Sequence, residues 1–324
     1  MAQNGWVQKS DITVDLARRL VRDQFPEWAG LLVTPVEHDG WDNTSFRLGD
    51  TLVVRLPSAD GYVAQIDKEQ RWLPVLAASL PLPIPSPVAL GAPGVGFPRP
   101  WSVYRWLPGR HATASRIVDM EHFAADFGDF LSALQRVDAT DGPPAGDHSC
   151  WRGAGLSLYD HDTRQAVEDL AGFVDREAVL AVWDCATATS WTRPSVWVHG
   201  DVAASNLLTS DGRLSAVIDF GCSAIGDPAC DLVVAWTMFD SDNRQVFRDH
   251  VRLDDDTWTR ARGWALWKAL LTLRRATRVQ RTQAGDQKAP GSFATRYLVV
   301  ETSLRCPSDR SQHFRKNPWS GVCW

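Results

Sequence analysis

The feature that constrains this chain most is a β-hairpin predicted near the middle of the sequence. Asp211-Gly212 lies between two apolar runs, Asn206–Thr209 and Arg213–Asp219. An Asp-Gly pair between such runs is among the strongest short-range hairpin signals. Folding this hairpin brings Asn206 and Asp219 to the same open end. The hairpin therefore presents an amide and a carboxylate at one point of the fold.

The residues around the hairpin suit phosphoryl transfer from a nucleotide. A short apolar strand delivers His199–Asp201 into a loop, Asn206 follows Asp201 by five residues, and Asp219 follows it by eighteen. Amide and carboxylate oxygens suit Mg²⁺, which takes its other ligands from phosphate and water. Asp201 can then position a substrate hydroxyl, and His199 is expected to support the loop backbone through a hydrogen bond. The alternative, that these are ordinary loop residues, explains each one singly but not their joint order and spacing.

The overall composition limits the partners that the chain can have. The net charge of −5 and the pI of about 5.9 argue against a broad nucleic-acid surface and suit a cationic small molecule. No apolar stretch approaches the ~20 residues that span a bilayer, so no membrane partner is expected. No basic region followed by an apolar run marks a secretory signal, and the six cysteines show no metal-binding spacing. We therefore expect a cytoplasmic protein with reduced thiols.

The pattern of elements divides the chain into a small sheet-based part and a larger, mainly helical part. The first part combines predicted helices with short strands; these are a helix over Ser10–Phe25, strands over Leu31–Val36, Thr44–Leu48, Thr51–Leu56 and Trp101–Leu107, and a helix over Tyr62–Ser79 that Pro74 could shorten. Gly49-Asp50 is predicted as a two-residue turn. In the second part, helical patterns over Asp119–Val137, Asp162–Trp183 and Trp264–Val279 bracket the hairpin region. The predicted domains are 1–107 and 108–303, with an irregular tail at 304–324.

These motifs resemble those of the aminoglycoside phosphotransferase family, relatives of the protein kinases that phosphorylate small molecules. His199–Asp201 matches the His-Gly-Asp that replaces the kinase His-Arg-Asp, Asp219–Gly221 matches the Asp-Phe-Gly motif, and Gly226–Leu232 matches the family's next motif. The similarity extends from about Leu31 to Phe239. The resemblance implies a two-lobed kinase-like α+β fold, with Asp201 as the catalytic carboxylate and Asn206 and Asp219 as Mg²⁺ ligands.

The same resemblance implies a supporting role for Asp231, which would brace the catalytic loop. The residues themselves allow a second interpretation. Asp227 can cap a helix whose first residue is Pro228, and Asp231 then lies in the acidic first turn of that helix. We therefore expect Asp227 to be structural and Asp231 to be supporting.

Kinase-like folds hold the nucleotide between the lobes, and three segments here are candidates for its binding. Arg55 on a strand is expected to hold the phosphates with Glu69 as its helical partner, although Lys is the usual residue. The alternative for Arg55 is a solvated charge at a strand end. The remaining candidates come from the turn that would cover the phosphates and from the linker between the lobes; they are Asn43, Thr44, Ser45, Arg105, Trp106 and Leu107. The linker would meet the base through its backbone, which leaves ATP and GTP equally possible as donors.

The acceptor is less constrained by the sequence than the donor. Seven acids and one Arg lie between Asp119 and Asp147. In the family the corresponding region helps to build a negative cleft for a cationic sugar. The solvated face of an amphipathic helix followed by an acidic loop is the simpler explanation of these acids. An aminoglycoside-type antibiotic is the expected acceptor. The alternatives are a metabolic kinase for choline, a sugar amine or an amino alcohol, and a non-catalytic nucleotide-binding module.

Overall fold

The computed structural model describes residues 7–37 and 40–284, with side chains described as far as Arg278. It confirms the predicted α+β fold, in which a small antiparallel sheet lobe precedes a larger, mainly helical lobe. The predictions for residues 285–303 and for the tail at 304–324 lie outside the described residues.

The small lobe is built on a five-stranded antiparallel sheet. Its strands are β1 (Val33–Pro35), β2 (Asn43–Leu48), β3 (Leu52–Pro57), β4 (Pro87–Gly91) and β5 (Trp101–Arg105). They lie in the order β1-β2-β3-β5-β4. One face of the sheet carries alternating apolar residues such as Phe46 and Val54, which pack with Leu20 and Trp101 into a core of their own. The opposite face looks toward the large lobe.

Two local predictions for this sheet were wrong. The last pair of the β2–β3 ladder is Leu48 with Leu52, so the turn contains three residues, 49–51, rather than two. The edge strand β4 is also absent from the strands predicted above. Pro87 is tolerated there because an edge strand has one side free of ladder hydrogen bonds.

Two helices complete the small lobe. Helix α1 (Val14–Gln24) begins later than predicted because Thr13 caps it, accepting a hydrogen bond from the amide of Leu16 at 3.2 Å. Helix α2 (Val63–Ala77) continues three residues beyond Pro74. It carries Lys68 and Glu69 on its buried face, toward the cleft between the lobes.

The large lobe contains the remaining helices, a three-stranded sheet and a two-stranded sheet. The helices are α3 (Met120–Arg136), α4 (Asp160–Asp169), α5 (Arg176–Thr187), α6 (Val234–Thr237), α7 (Ser241–Val251) and α8 (Asp255–Ala284). The strands are β6 (Arg110–His111), β7 (Val196–Val198), β8 (Leu207–Ser210), β9 (Arg213–Val217) and β10 (Ala224–Gly226). The helical pattern over 162–183 is thus two helices, and β6 and β10 were not predicted.

The hairpin predicted from the sequence is present. Strands β8 and β9 pair in antiparallel register, with Leu207 opposite Val217. Asp211 and Gly212 both have positive φ, 51° and 80°, as a tight hairpin turn requires. Strand β6 extends this ladder to three strands, while β7 pairs with β10.

The helix predicted over Asp119–Val137 is confirmed as α3, and its apolar face is buried in the core of the large lobe. Phe127 and Phe130 are fully buried, and the ring of Phe127 stacks on that of Phe247 from α7 at 5.8 Å. This packing fixes α3 beneath the strands that carry the hairpin. Within the described residues, no helix has the length and apolar character needed to cross a bilayer.

Candidate active site

The buried carboxylate of Asp231 holds the loop that follows β7 in place. The amides of His199 and Gly200 donate to the two carboxylate oxygens of Asp231, each at 2.7 Å. Asp231 is 1% exposed. Burial raises its pKa, while the two amide hydrogen bonds oppose that rise. Gly200 has φ 85° and packs against the carbonyl of Cys222, so a side chain would not fit there.

His199 is fixed in one tautomer by its two neighbours. Its Nε2 donates to the carbonyl of Ile218 at 2.9 Å, and its Nδ1 accepts from the amide of Asp201 at 3.2 Å. The ring is fully buried and meets Phe220 edge-on at 4.6 Å. Both nitrogens are therefore engaged with the backbone, so the ring of His199 supports the loop that carries Asp201.

Asp201 and Asn206 are joined directly. Nδ2 of Asn206 donates to the main-chain oxygen of Asp201 at 2.9 Å and lies 3.4 Å from its Oδ2. The amide of Ile218 donates to the carbonyl of Asn206 at 2.9 Å. This bond continues the β8–β9 ladder, so Asn206 and Asp219 emerge from the same end of the hairpin. Since Nδ2 is engaged, Oδ1 is the atom that Asn206 can offer to a cation.

Asp219 follows β9 in a strained conformation. Its φ of 67° lies in the left-handed region, which costs a non-glycine residue about 1–3 kcal/mol and occurs mostly at functional sites. Its side chain is 37% exposed and lies 3.5 Å from the guanidinium of Arg55. Burial raises the pKa of Asp219, and the charge of Arg55 opposes that rise. The carboxylate is thus accessible from the cleft and close to a cation.

Arg55 lies between acidic residues of the two lobes and contacts both of them. Its Nη1 lies 3.3 Å from both carboxylate oxygens of Glu69, while its Nη2 reaches Asp219. Glu69 is buried and also accepts a hydrogen bond from the hydroxyl of Tyr104. Burial alone would lower the pKa of Arg55, but the charges of Glu69 and Asp219 raise it, so the guanidinium remains charged.

Sequence reasoning missed the residue next to Glu69. Lys68 is buried, and its Nζ donates to the carbonyl oxygens of Gly221 at 2.7 Å and Ser223 at 2.9 Å. Burial lowers the pKa of Lys68 to about 8. The contact ties α2 to the chain just after Asp219. No spacing signal could have indicated it, because its partners are backbone atoms more than 150 residues away.

The candidate residues on β2 fall on different faces of the strand. Ser45 pairs directly with Arg55 in the β2–β3 ladder, so the two share the face toward the large lobe. Thr44 pairs with Leu56 and points to the opposite, core-facing side. Asn43 lies two residues before Ser45, so its side chain is on the same face of the strand. It is buried at the start of β2. The structure therefore brings Asn43 and Ser45 to the face of Arg55 but not the side chain of Thr44.

Two of the three linker residues already use their backbone amides in hydrogen bonds to neighbouring segments. The amide of Arg105 donates to the carbonyl of Ser86 at 2.9 Å, and that of Trp106 donates to the carbonyl of Thr51 at 2.8 Å. Leu107 is the linker residue whose amide makes no main-chain hydrogen bond within the described chain. The guanidinium of Arg47 covers the Trp106 ring at 4.1 Å. Of the three linker amides predicted to face a base, two are thus already engaged.

Two further groups at the cleft were not found from the sequence. Lys268 on α8 places its Nζ 3.5 Å from Oδ1 of Asp201. Cys150, which is exposed, is hydrogen-bonded to Cys222, next to the Asp219–Gly221 motif. Both groups come from segments far from the motif in sequence, and only the fold brings them to it.

Asn206 and Asp219 carry oxygen donors of the kind that Mg²⁺ prefers. Within the described residues, no group of three or more His, Cys, Asp or Glu is arranged to hold a metal ion. Asn206 and Asp219 instead supply two oxygen donors, of which Asp219 is accessible from the cleft. Mg²⁺ is typically bound by one or two carboxylates together with waters and substrate phosphates.

A sheet lobe, a helical lobe and a carboxylate loop between them define a kinase-like phosphotransferase. The chain belongs to the phosphotransferase enzyme family, whose sequence model matches residues 33–264. A comparison with curated proteins gave no significant match.

Solved structures show the same fold at low sequence identity. The GDP and kanamycin complex of APH(2")-IIIa has a TM-score of 0.68 and 18% identity, covering 89% of this chain and 98% of the other. The macrolide 2'-phosphotransferase MphH from Brachybacterium faecium has a TM-score of 0.56 and 21% identity, covering 92% and 99%. The streptomycin-ATP complex of APH(2")-IIa has a TM-score of 0.54 and 14% identity, covering 83% and 96%.

Proposed function

We propose that this protein transfers the γ-phosphate of ATP or GTP to a hydroxyl of a small molecule, with an aminoglycoside-type antibiotic as the first candidate. The observation that carries the proposal is the convergence of Asp201, Asn206 and Asp219 at the open end of one hairpin, with Arg55 in contact with Asp219. In this assignment residues 1–107 bind the nucleotide, and residues 108–303 carry the catalytic loop and the acceptor. Neither nucleic acid nor a membrane takes part, and a cytoplasmic location remains a prediction.

Asn206 and Asp219 are the residues that would hold Mg²⁺. When bound, the ion would neutralise negative charge on the nucleotide phosphates. Arg55 would contact the phosphates from the small lobe, with Glu69 holding its guanidinium in place. Because Arg presents a planar fork of donors, it can bind a phosphate through two hydrogen bonds where Lys would act as a point charge. Ser45 and Asn43 lie on the same face of the sheet and would lie over the phosphates.

Asp201 would bind the hydroxyl group of the acceptor. Its carboxylate accepts a hydrogen bond from the acceptor hydroxyl, and the hydroxyl oxygen then forms the new bond to the γ-phosphorus. The bond between that phosphorus and the bridging oxygen breaks, and the nucleoside diphosphate leaves. The hydroxyl proton passes to Asp201. Since the transition state is loose, most of the acceleration comes from alignment and electrostatics rather than from covalent chemistry.

The nucleotide base would lie against the linker between the lobes. Leu107 offers the one linker amide that makes no main-chain hydrogen bond within the described residues. A single backbone donor does not distinguish adenine from guanine. Similar structures contain either GDP or ATP, so both donors belong in the assay.

A cationic acceptor is supported by the net charge and by the similar structures that contain kanamycin or streptomycin. The acidic segment at 119–147 gives less support, because several of its acids have partners away from the site. Asp126 lies 3.5 Å from Arg213, at the closed end of the hairpin, and Asp129 lies 2.9 Å from His250. Ion pairs with Arg213 and His250 therefore account for these two acids without an acceptor. The acceptor is determined by the assay described next.

An acceptor panel tests the proposal. Purified protein with Mg²⁺ and either ATP or GTP would be assayed against kanamycin, streptomycin, a macrolide, choline and an amino alcohol, with nucleoside diphosphate release and the acceptor mass as readouts. We expect phosphorylated kanamycin or streptomycin from the wild type and almost none from Asp201→Ala. Asp162→Asn, which changes an exposed acid on α4, is the matched control and should be fully active. Transfer to choline alone would favour the metabolic kinase, and no transfer to any acceptor would contradict the proposal.

A further inference from the structure

Lys268 meets the proposed catalytic carboxylate from a distant helix. Its Nζ lies 3.5 Å from Oδ1 of Asp201 and 3.5 Å from the carbonyl oxygen of Val202. The two side chains are exposed to a similar degree, 40% for Lys268 and 41% for Asp201. The pair therefore lies at the cleft surface, where an acceptor can reach Asp201. The roles proposed above do not use this ammonium group.

The helix that carries Lys268 is firmly anchored on either side of it. Toward its start, Arg260 forms a buried ion pair with Asp227 at 2.6 Å. One position before Lys268, the ring of Trp267 packs against Tyr159 at 4.7 Å. One turn later, the hydroxyl of Thr272 donates to the carbonyl of Lys268 at 2.8 Å. The backbone of Lys268 is thus held by the core, and only its side chain extends to the loop.

The use of lysine at this position is itself informative. The chain has 34 basic residues, of which only five are Lys. Of the three lysines within the described residues, Lys68 and Lys268 both contact the loops that carry Asp219 and Asp201. An ammonium is a compact charge whose three donors rotate, whereas a guanidinium holds its donors in a fixed plane. The compact group suits a contact with one carboxylate oxygen beside a site that must admit a substrate.

Asp201 is contacted on both of its carboxylate oxygens. Asn206 approaches Oδ2 at 3.4 Å, and Lys268 approaches Oδ1 at 3.5 Å. We propose that Lys268 is a positioning residue that orients the Asp201 carboxylate toward the acceptor hydroxyl. This inference rests on the proposed function. Lys268 acts through Asp201 and does not itself contact the reacting atoms.

The test compares Lys268→Met with Lys268→Arg, alone and combined with Asp201→Asn. Met keeps the length of the side chain and removes the charge, while Arg keeps the charge. Arg274→Met is the matched control, because Arg274 lies on the same helix and pairs with Asp169 at 3.6 Å, away from the loop. The probes are ATP or GTP with kanamycin and, in parallel, nucleotide hydrolysis, in which water takes the place of the acceptor. The readouts are kcat, the two KM values and the thermal midpoint.

Lys268→Met should lower kcat about 10- to 100-fold, as small displacements of a catalytic group do, with the nucleotide KM within about twofold of wild type. Lys268→Arg should recover part of that loss. In the Asp201→Asn background, Lys268→Met should cause no further loss, because the residue acts through the carboxylate. Arg274→Met should leave kcat unchanged.

Three results would overturn the inference: an unchanged kcat in Lys268→Met, an equal further loss in the Asp201→Asn background, or a lower acceptor KM with kcat retained. The last would make Lys268 an obstruction that the substrate displaces. If Asp201→Asn is inactive while Lys268→Met is fully active, only this inference fails. If Asp201→Asn itself keeps its turnover, the proposed function fails with it.

Discussion

His199 donates its Nε2 proton to the carbonyl oxygen of Ile218, 2.9 Å away. This one bond joins the loop that carries Asp201 to the strand that carries Asp219. The two carboxylates are therefore positioned relative to each other by a fully buried ring, and Asp231 fixes the same loop from the other side. The geometry of the site depends on these buried groups as much as on the residues that face the cleft.

Replacing His199 with Ala should lower kcat without moving the pH profile. The change leaves the Ile218 carbonyl without its buried donor, at a cost of about 1–3 kcal/mol in stability, and a displaced Asp201 should reduce kcat about 100-fold. Since both ring nitrogens are engaged with the backbone, we expect His199 to transfer no proton in the reaction. The measurement is kcat against pH, with the exposed His122→Ala as the control. A titration step that disappears in His199→Ala would contradict the structural role.

Arg55 should determine nucleotide affinity. Arg55→Met removes the cation between Glu69 and Asp219, and loss of a charged hydrogen bond of about 1.5–3 kcal/mol predicts a rise in nucleotide KM of about tenfold or more. Arg55→Lys should recover part of the affinity because the charge is retained. Steady-state kinetics with varied nucleotide measure the effect, and Arg164→Met on the surface of α4 is the control. An unchanged nucleotide KM in Arg55→Met would show that this cation does not contact the phosphates.

Cys150 should react as a thiolate near neutral pH. A hydrogen bond from Cys222, against the opposing effect of burial, lowers its pKa from 9.0 to about 6, and Arg152 adds to the lowering. The rate of alkylation by iodoacetamide at Cys150, followed by peptide mass spectrometry, should therefore rise with pH through a midpoint of about 6. Cys222→Ala removes the first cause, so the midpoint should move upward. A midpoint that stays unchanged in Cys222→Ala would rule out this explanation.

The pair between Asp227 and Arg260 should contribute to stability much more than a surface pair. Both side chains are nearly inaccessible, 4% and 2% exposed, and removing one partner of a buried pair costs about 3–5 kcal/mol. Arg260→Met should therefore lower the free energy of unfolding by this amount, measured by chemical denaturation. Arg164→Met breaks a surface contact with Asp184 and should cost at most about 1 kcal/mol. Equal losses in the two variants would contradict the assignment.

The sequence predicts the parts of the site that depend on residues close to one another along the chain. The Asp211-Gly212 turn defines the hairpin, and the hairpin places Asn206 and Asp219 at one end. The alternation of β2 against β3 also shows why Ser45 shares a face with Arg55 and Thr44 does not. The sequence placed Thr44 both in the predicted strand and in the turn expected to cover the phosphates, and only the register of the ladder shows which face its side chain occupies.

The parts that the sequence does not predict depend on contacts between distant segments. Lys268 reaches Asp201 across 67 residues and Lys68 reaches Gly221 across 153, and no periodicity links either pair. Strand β4 was missed because prolines dominate the segment before it, whereas the edge of a sheet accepts a proline that an interior strand would not. The amides of Arg105 and Trp106 were assigned to the nucleotide base because their partners, Ser86 and Thr51, become visible only in the folded sheet.

The most direct test of the central claim is single-turnover transfer of γ-phosphate by Asp201→Asn, with nucleotide affinity measured on the same preparation. The account predicts a rate about 100- to 10,000-fold below wild type, the range for loss of a positioned proton acceptor, with the nucleotide Kd within about twofold. A variant that binds nucleotide and transfers phosphate at the wild-type rate would contradict it.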